Sequence, residues 1–183
     1  MGCGKSSVGR RLSELLCCPF MDLDSVIEEQ AGRSIPEIFA TDGEAAFRQM
    51  ELEALRSIIP CSTAAGRVQK QSLPSLMGPS LLPHNLVVLS LGGGAIMTPE
   101  CAELVKENTL CIYLRASVDT LVERLTDEAA GRPLLASDSD LRTRIETLMA
   151  KRASTYEATA HHIIDTDGLS IDTIAGKVVH ILK

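Results

Sequence analysis

The sequence has few aromatic residues: tryptophan is absent, and aromatic side chains make up 3% of the 183 residues. Stacking platforms for single-stranded nucleic acid are therefore not expected. Basic residues are not in excess either, and the net charge of −6 argues against a broad surface that follows nucleic-acid phosphates. The six cysteines show no CxxC spacing, which predicts neither a zinc site nor a disulfide framework. Long apolar runs of membrane-spanning length are also missing, and we expect a cytosolic protein without nucleic-acid or membrane partners.

What is present is an alternation of short apolar runs with amphipathic helical patterns. The runs predict strands at 19–21, 86–91, 110–114 and 162–165. Continuous apolar strands that alternate with helices are typical of a parallel sheet covered on both faces, so we predict a single α/β domain. One segment, residues 60–85, interrupts the alternation with four prolines. We interpret it as a long surface loop.

The sequence opens with GCGKSS, which matches the second half of the phosphate-loop pattern G-x-x-x-x-G-K-[ST]. Backbone amides around Gly2 and Gly4 can wrap phosphate oxygens, Lys5 can reach the β- and γ-phosphates, and Ser6 can bind Mg²⁺. The helix that follows directs its positive end at the same anion. The alternative is a capped helix behind a flexible tail, with an accidental GKS match.

Two further motifs follow predicted strands. Asp22 and Asp24 form D-x-D at a strand end, where parallel sheets bind ligands, and they can serve Mg²⁺ through water or accept a proton from a hydroxyl. Alternatively, one of them simply caps the next helix. The triplet Gly92–Gly94 lets a substrate approach bare backbone, although it is equally compatible with a tight turn.

Three arginines have surroundings that suggest an anionic partner. Arg48 lies near the start of an amphipathic helix, and Arg152 follows Leu148 by four residues on an apolar helical face. Arg132 lies in AAGRPLL, a short and movable loop between two helices. A core-facing arginine can bind a carboxylate with two hydrogen bonds. Each of the three, taken alone, can also be an ordinary solvated side chain.

Taken in chain order, these stretches resemble the shikimate kinase family. The resemblance is carried by GCGKSSVGRRL, MDLDSVIEEQAGRSIPEIFATDGEAAFRQME, VLSLGGGA, AGRPLL and LMAKRASTY. It implies a three-layer P-loop kinase fold over residues 1–183, with an insertion at about 60–85 and a lid loop at about 126–139. It also implies transfer of the ATP γ-phosphoryl group to the 3-hydroxyl of shikimate, on the route to chorismate and the aromatic amino acids. We expect Mg²⁺ as the cofactor, ATP as co-substrate and a monomeric enzyme.

The resemblance also assigns roles by position. ATP contacts are implied for Gly2, Cys3, Gly4, Lys5, Ser6, Ser7, Arg124 and Arg132. Shikimate contacts are implied for Asp24, Arg48, Gly92, Gly93, Gly94 and Arg152. The catalytic set would be Asp24 as proton acceptor with Lys5 and Arg132. The metal would be held by Ser6 and, through water, by Asp22, while Glu51 would orient Arg48.

The resemblance has two departures. The first loop glycine and the family's central first strand, which lies between the strands predicted at 86–91 and 110–114, would fall upstream of Met1. Unpaired strand edges are costly, so we expect a start assigned too far downstream, and poor stability and weak ATP binding in the 183-residue form. The segment at 60–85 is longer than the family usually carries. The alternatives are a related kinase, such as one acting on gluconate, or an inactive nucleotide-binding module.

Overall fold

Eight α-helices and four short strands lie along residues 3–59, 86–129 and 138–183, which are the residues described by the computed structural model. The first part contains α1 (Lys5–Leu16), β1 (Phe20–Asp22), α2 (Leu23–Ala31), α3 (Ile35–Thr41) and α4 (Gly43–Ile58). The remainder contains β2 (Val88–Ser90), a 3₁₀ turn (Ala95–Met97), α5 (Pro99–Asn108), β3 (Ile112–Arg115), α6 (Val118–Ala129), α7 (Asp138–Thr159), β4 (His162–Asp165) and α8 (Ile171–Ile181). The predicted insertion at 60–85 and the centre of the predicted lid loop lie outside the described residues.

The strands pair in parallel, as the continuous apolar runs predict. β1 pairs with β2 in the register Asp22↔Ser90, and β3 pairs with β4 in the register Arg115↔Asp165. Within the described ranges, no strand pairs with the second edge of β2 or of β3. A cavity of about 530 Å³ is lined by apolar side chains of β2, β3 and α1. The described strands thus form two separate two-stranded parallel sheets.

The strand bounds differ slightly from those predicted, because pairing between strands decides where a ladder ends. β1 begins at Phe20 rather than at residue 19, since Pro19 has no amide hydrogen to donate, although its carbonyl accepts the Val88 amide at 2.9 Å. β2 covers three residues instead of the six predicted at 86–91, since it extends only as far as its partner β1. β3 begins two residues later than predicted, and β4 has the predicted bounds.

Helices cover these strand pairs with apolar faces. Leu23, Ile27 and Leu55 from α2 and α4 are almost completely buried in the largest core cluster, which also includes residues of α5. Val8 of α1 packs with β4 and α8 in a second cluster. Burial of an aliphatic side chain of this size contributes about 1.5–3 kcal/mol to stability. No helix of the described ranges is both long and apolar enough to cross a membrane.

Helix α1 packs so closely on β1 that Gly9 has no room for a side chain. A Cβ atom at Gly9 would lie 2.5 Å from Cε2 of Phe20. We therefore expect Gly9→Ala to lower the free energy of unfolding, because overpacking costs about 1–3 kcal/mol and the helix propensity of alanine returns about 1 kcal/mol at most. Urea unfolding measures the change.

Gly176 in α8 is the matched control. A Cβ atom there has nothing within 4 Å, so we expect Gly176→Ala to leave stability unchanged or to raise it. Equal unfolding midpoints for Gly9→Ala and the wild type would show that the Phe20 ring moves aside without cost.

Candidate active site

The amino-terminal end of α1 has backbone amides that can donate hydrogen bonds to an anion. Gly4, at the N-cap position, has φ 74° and ψ 21°, the left-handed conformation that glycine adopts most easily. No side chain of the described residues caps this helix end, so its first amides are left for another acceptor. Cys3, Lys5 and Ser6 are partly buried around this turn and Ser7 is exposed, whereas Gly2 lies outside the described residues.

Asp22 connects this helix end to the next one. Its Oδ2 accepts a hydrogen bond from the Ser6 hydroxyl at 2.8 Å, and its Oδ1 accepts the backbone amide of Asp24 at 3.2 Å. The second contact caps α2, which is the alternative interpretation of the D-x-D motif, while a role of Asp22 in binding Mg²⁺ stays a prediction. The Lys5 ammonium lies 3.7 Å from the Cys3 sulfur, on the same side of the turn.

Asp24 lies in the first turn of α2 and is partly buried. Burial raises the pKa of its carboxyl group, and the neighbouring Asp22 carboxylate raises it further, while Lys5 acts in the opposite direction. A carboxylate with a raised pKa is a stronger proton acceptor. The Asp24 carboxylate can therefore accept a proton more readily than a fully solvated aspartate.

The glycine triplet passes between Asp24 and Arg48. A Cβ atom at Gly92 would lie 2.6 Å from Oδ1 of Asp24, and one at Gly94 would lie 2.5 Å from Nη1 of Arg48. Glycine thus allows close approach at these two positions, where a side chain would have to displace Asp24 or Arg48, and neither residue has a positive φ. The loop separates a carboxylate on one side from a guanidinium on the other.

Arg48 is held by two carboxylates of its own helix, α4. Its Nη1 donates to Glu51 at 2.7 Å, and its Nη2 donates to Glu44 at 2.9 Å. Glu51 is 1% exposed, and burial raises its pKa while Arg48 counteracts that shift. Glu44 was not singled out in the sequence, although its position four residues before Arg48 is the spacing at which helical side chains meet.

Helix α7 reaches the same loop from the other side. Nη1 of Arg152 donates to the Gly93 carbonyl at 3.2 Å, and the Tyr156 hydroxyl donates to the same oxygen at 2.5 Å. Arg152 is partly buried, so its charge is held near the glycine loop. Tyr156 had no predicted role, although it ends the stretch LMAKRASTY that carries the family resemblance and lies one helical turn beyond Arg152.

Two predicted ATP contacts remain. Arg124 of α6 donates from Nη2 to the carbonyl of the buried Thr166 at 3.2 Å, just after β4, so it lies at the end of that strand rather than beside the glycine loop. Arg132 lies outside the described residues. The described structure thus brings together Lys5, Ser6, Asp22, Asp24, Arg48 and Arg152 around the loop formed by Gly92, Gly93 and Gly94.

Comparisons with known proteins show which family the chain resembles. The sequence model of the family described as shikimate kinase matches residues 1–78 and 75–183. A shikimate kinase of Salinibacter ruber is 36% identical over 189 residues, which cover all of this chain and 80% of the relative. A shikimate kinase of Zymomonas mobilis is 42% identical over 89% of this chain and 78% of its own length. The chain belongs to the shikimate kinase family.

Solved structures of this family agree with the fold. A shikimate kinase from Acinetobacter baumannii in complex with shikimate has a TM-score of 0.75 and 30% identity, covering all of this chain and 88% of its own. A shikimate kinase from Bacteroides thetaiotaomicron has a TM-score of 0.78 and 26% identity, covering all of this chain and 93% of its own. The predictions of the shikimate kinase family, of a P-loop kinase fold and of an ATP-dependent shikimate kinase are therefore confirmed.

Proposed function

We propose that this chain transfers the γ-phosphoryl group of ATP to the 3-hydroxyl of shikimate, with Asp24 as the proton acceptor. The observation that carries the proposal is the glycine loop, which has the Asp24 carboxylate on one side and Arg48 on the other, with Arg152 bonded to its middle carbonyl. A substrate lying along this loop meets a base at one end and positive charge at the other. Shikimate has hydroxyl groups and a carboxylate at matching ends.

The phosphate side of the reaction belongs to the start of α1. Its uncapped first turn and the left-handed Gly4 supply amide donors for phosphate oxygens, and Lys5 supplies a positive charge beside them. Phosphoryl transfer depends mainly on alignment and on charge neutralisation, because little covalent chemistry is left for the protein. Cys3, Ser6 and Ser7 would contribute further contacts to the same phosphates, and Gly2 is assigned there by the family resemblance.

The residues near Lys5 fit a magnesium ion. The Ser6 hydroxyl and the Asp22 carboxylate are hard oxygen donors that already lie 2.8 Å apart. The described residues contain no group of three or more His, Cys, Asp or Glu side chains that could form a complete metal cage, and Mg²⁺ in kinases is typically held by few protein ligands together with phosphates and water. Mg²⁺ would neutralise phosphate charge at this site, with Ser6 as a ligand and Asp22 acting through water.

The substrate side is divided between binding and chemistry. Arg48 and Arg152 would bind the shikimate carboxylate, with Glu51 and Glu44 holding the Arg48 guanidinium in place. Gly92, Gly93 and Gly94 would offer bare backbone to the ring hydroxyls. Asp24 would take the proton of the attacking hydroxyl as the oxygen–phosphorus bond forms and ADP leaves.

Two arginines complete the proposal by family resemblance. Arg132 would stabilise the charge that develops on the transferred phosphoryl group. Arg124 would flank the adenine, and its bond to the Thr166 carbonyl beside β4 is compatible with that role.

We also keep the expectations of a cytosolic monomer without nucleic-acid or membrane partners. The five cysteines of the described residues, all free, fit a reducing compartment.

A coupled assay of ADP release with Mg·ATP tests the function. We expect turnover with shikimate and none above background with gluconate. Shikimate methyl ester, which lacks the negative charge, should have a KM higher by about tenfold or more, because charge-assisted hydrogen bonds contribute about 1.5–3 kcal/mol.

The same assay separates the alternatives. Turnover with gluconate but not with shikimate would replace the substrate assignment by the related-kinase alternative. ATP binding by calorimetry without turnover on either compound would favour an inactive nucleotide-binding module. Equal KM values for shikimate and its methyl ester would contradict the carboxylate role of Arg48 and Arg152.

A further inference from the structure

One carbonyl oxygen of the glycine loop accepts two hydrogen bonds from the same helix. Arg152 and Tyr156 lie one turn apart on α7, and both donate to the Gly93 oxygen, at 3.2 Å and 2.5 Å. The proposed function uses Arg152 for the substrate carboxylate and leaves Tyr156 without a task. A second donor on this oxygen therefore calls for its own explanation.

We propose that Tyr156 is a positioning residue that holds the Gly93 carbonyl, and with it the glycine loop, so that Arg152 stays free to bind the substrate carboxylate. The inference rests on the proposed substrate role of Arg152. A guanidinium has five N–H donors in a fixed plane, and one of them here contacts Gly93. With the tyrosine in place, the loop does not depend on Arg152 alone, and the other N–H donors of Arg152 are left for a ligand.

The loop is a part of the site that must not move. Gly92 lies against the Asp24 carboxylate and Gly94 against the Arg48 guanidinium, each so closely that even a methyl group would collide. A shift of a few tenths of an ångström at Gly93 would alter the spacing between these groups. A hydroxyl bonded to the middle of the triplet opposes such a shift.

The tyrosine ring is itself fixed, so its hydroxyl direction is determined before substrate binds. The ring packs against Tyr113 of β3, with centroids 5.2 Å apart and planes inclined by 51°. Tyr156 also packs against the largest core cluster. Such aromatic contacts stabilise a ring in one orientation, and the hydroxyl then reaches Gly93 at no further cost in side-chain ordering.

Tyr156→Phe tests the proposal because it removes the hydroxyl and keeps the ring. We expect the KM for shikimate to rise about two- to tenfold, the effect of one lost hydrogen bond, while the KM for ATP and kcat change less than twofold. Loss of substrate binding that is equal in the ground and transition states raises KM and leaves kcat unchanged. A merely structural role would reduce the fraction of folded enzyme, and therefore kcat, without changing KM.

Tyr113→Phe is the matched control, since the chain has two tyrosines and these two rings touch each other. The Tyr113 hydroxyl has no hydrogen bond to a described residue, so we expect wild-type kinetics. Tyr156→Leu removes ring and hydroxyl together, and its shikimate KM should match that of Tyr156→Phe at a temperature where both are folded.

The outcomes separate this inference from the function itself. A wild-type KM in Tyr156→Phe, or a KM that rises only in Tyr156→Leu, would overturn the positioning role of the hydroxyl. A lower kcat with unchanged KM in Tyr156→Phe would overturn it as well, in favour of stability. Absence of shikimate-dependent turnover in the wild type would contradict the proposed function instead.

Discussion

Replacement of Asp24 by asparagine is expected to lower kcat for shikimate phosphorylation by about 10²–10⁴-fold, the usual contribution of a positioned general base. Asparagine has nearly the same shape as aspartate but cannot accept the hydroxyl proton. Because the side chain lies against Gly92, where there is no spare room, the substitution should preserve the position of the glycine loop. The KM for ATP is expected to remain unchanged, since the phosphate contacts lie at the start of α1.

The acid limb of the pH profile should report the same carboxyl group. Burial, with help from Asp22, raises the pKa of Asp24 above the usual value for aspartic acid of about 3.9. The base acts only when deprotonated, so kcat/KM should fall as the pH is lowered through this raised pKa. In Asp24→Asn the residual kcat/KM should no longer show this limb.

Stability should change in the opposite direction to activity. A carboxyl group whose pKa is higher in the folded state favours folding while it is protonated, and that contribution is lost as the pH rises from the unfolded pKa through the folded one. At neutral pH the charged Asp24 therefore costs stability, and Asp24→Asn should melt at a higher temperature than the wild type.

Asp172→Asn, an exposed carboxylate of α8 paired with Arg11, is the control and should change neither kcat nor the acid limb. A kcat of Asp24→Asn within threefold of the wild type would remove Asp24 from the role of base. A lower melting temperature would show that its charge is compensated in the folded protein.

The position of each strand could be predicted from the sequence, because each contains a short apolar run that lies between amphipathic helical patterns. The ends of β2 could not, since they depend on pairing with β1, more than sixty residues earlier in the chain. Helix α3 had no predicted counterpart. Seven residues are too few for a clear amphipathic repeat, and the available signal was the Ser34–Glu37 spacing of a capping box, in which the Ser34 amide and hydroxyl both donate to the Glu37 carboxylate.

The residue types of the site were predictable, but their mutual contacts were not. The sequence motifs indicate that Asp24 and Arg48 can bind a ligand. They do not indicate that the glycine triplet passes between these two side chains. Asp22 illustrates the same limit, since the sequence does not show that one carboxylate both caps α2 and accepts a hydrogen bond from Ser6. Tyr156 contacts Gly93 across 63 positions of sequence, a separation that no local pattern reveals.

The glycine loop provides a second test with a large expected effect. Gly94→Ala is expected to raise the KM for shikimate by about ten- to a hundredfold, because its methyl group would need the space of Nη1 of Arg48. Gly92→Ala is expected to lower kcat by about a hundredfold, because its methyl group would displace the Asp24 carboxylate, and a misplacement of about 1 Å costs this much. Steady-state kinetics with shikimate varied at saturating Mg·ATP measures both.

The two variants control for each other, since they add the same methyl group two residues apart. Gly94 has φ −101°, and neither glycine has a positive φ, so alanine adds volume without backbone strain. General damage to the loop would change both variants in the same way, whereas separate roles for Asp24 and Arg48 predict a kcat defect in one and a KM defect in the other. Circular dichroism melts, with Gly176→Ala as a neutral glycine replacement, check that both proteins fold. If both variants show wild-type kcat and KM, the neighbouring side chains move aside freely, and the close contacts of this loop do not control catalysis.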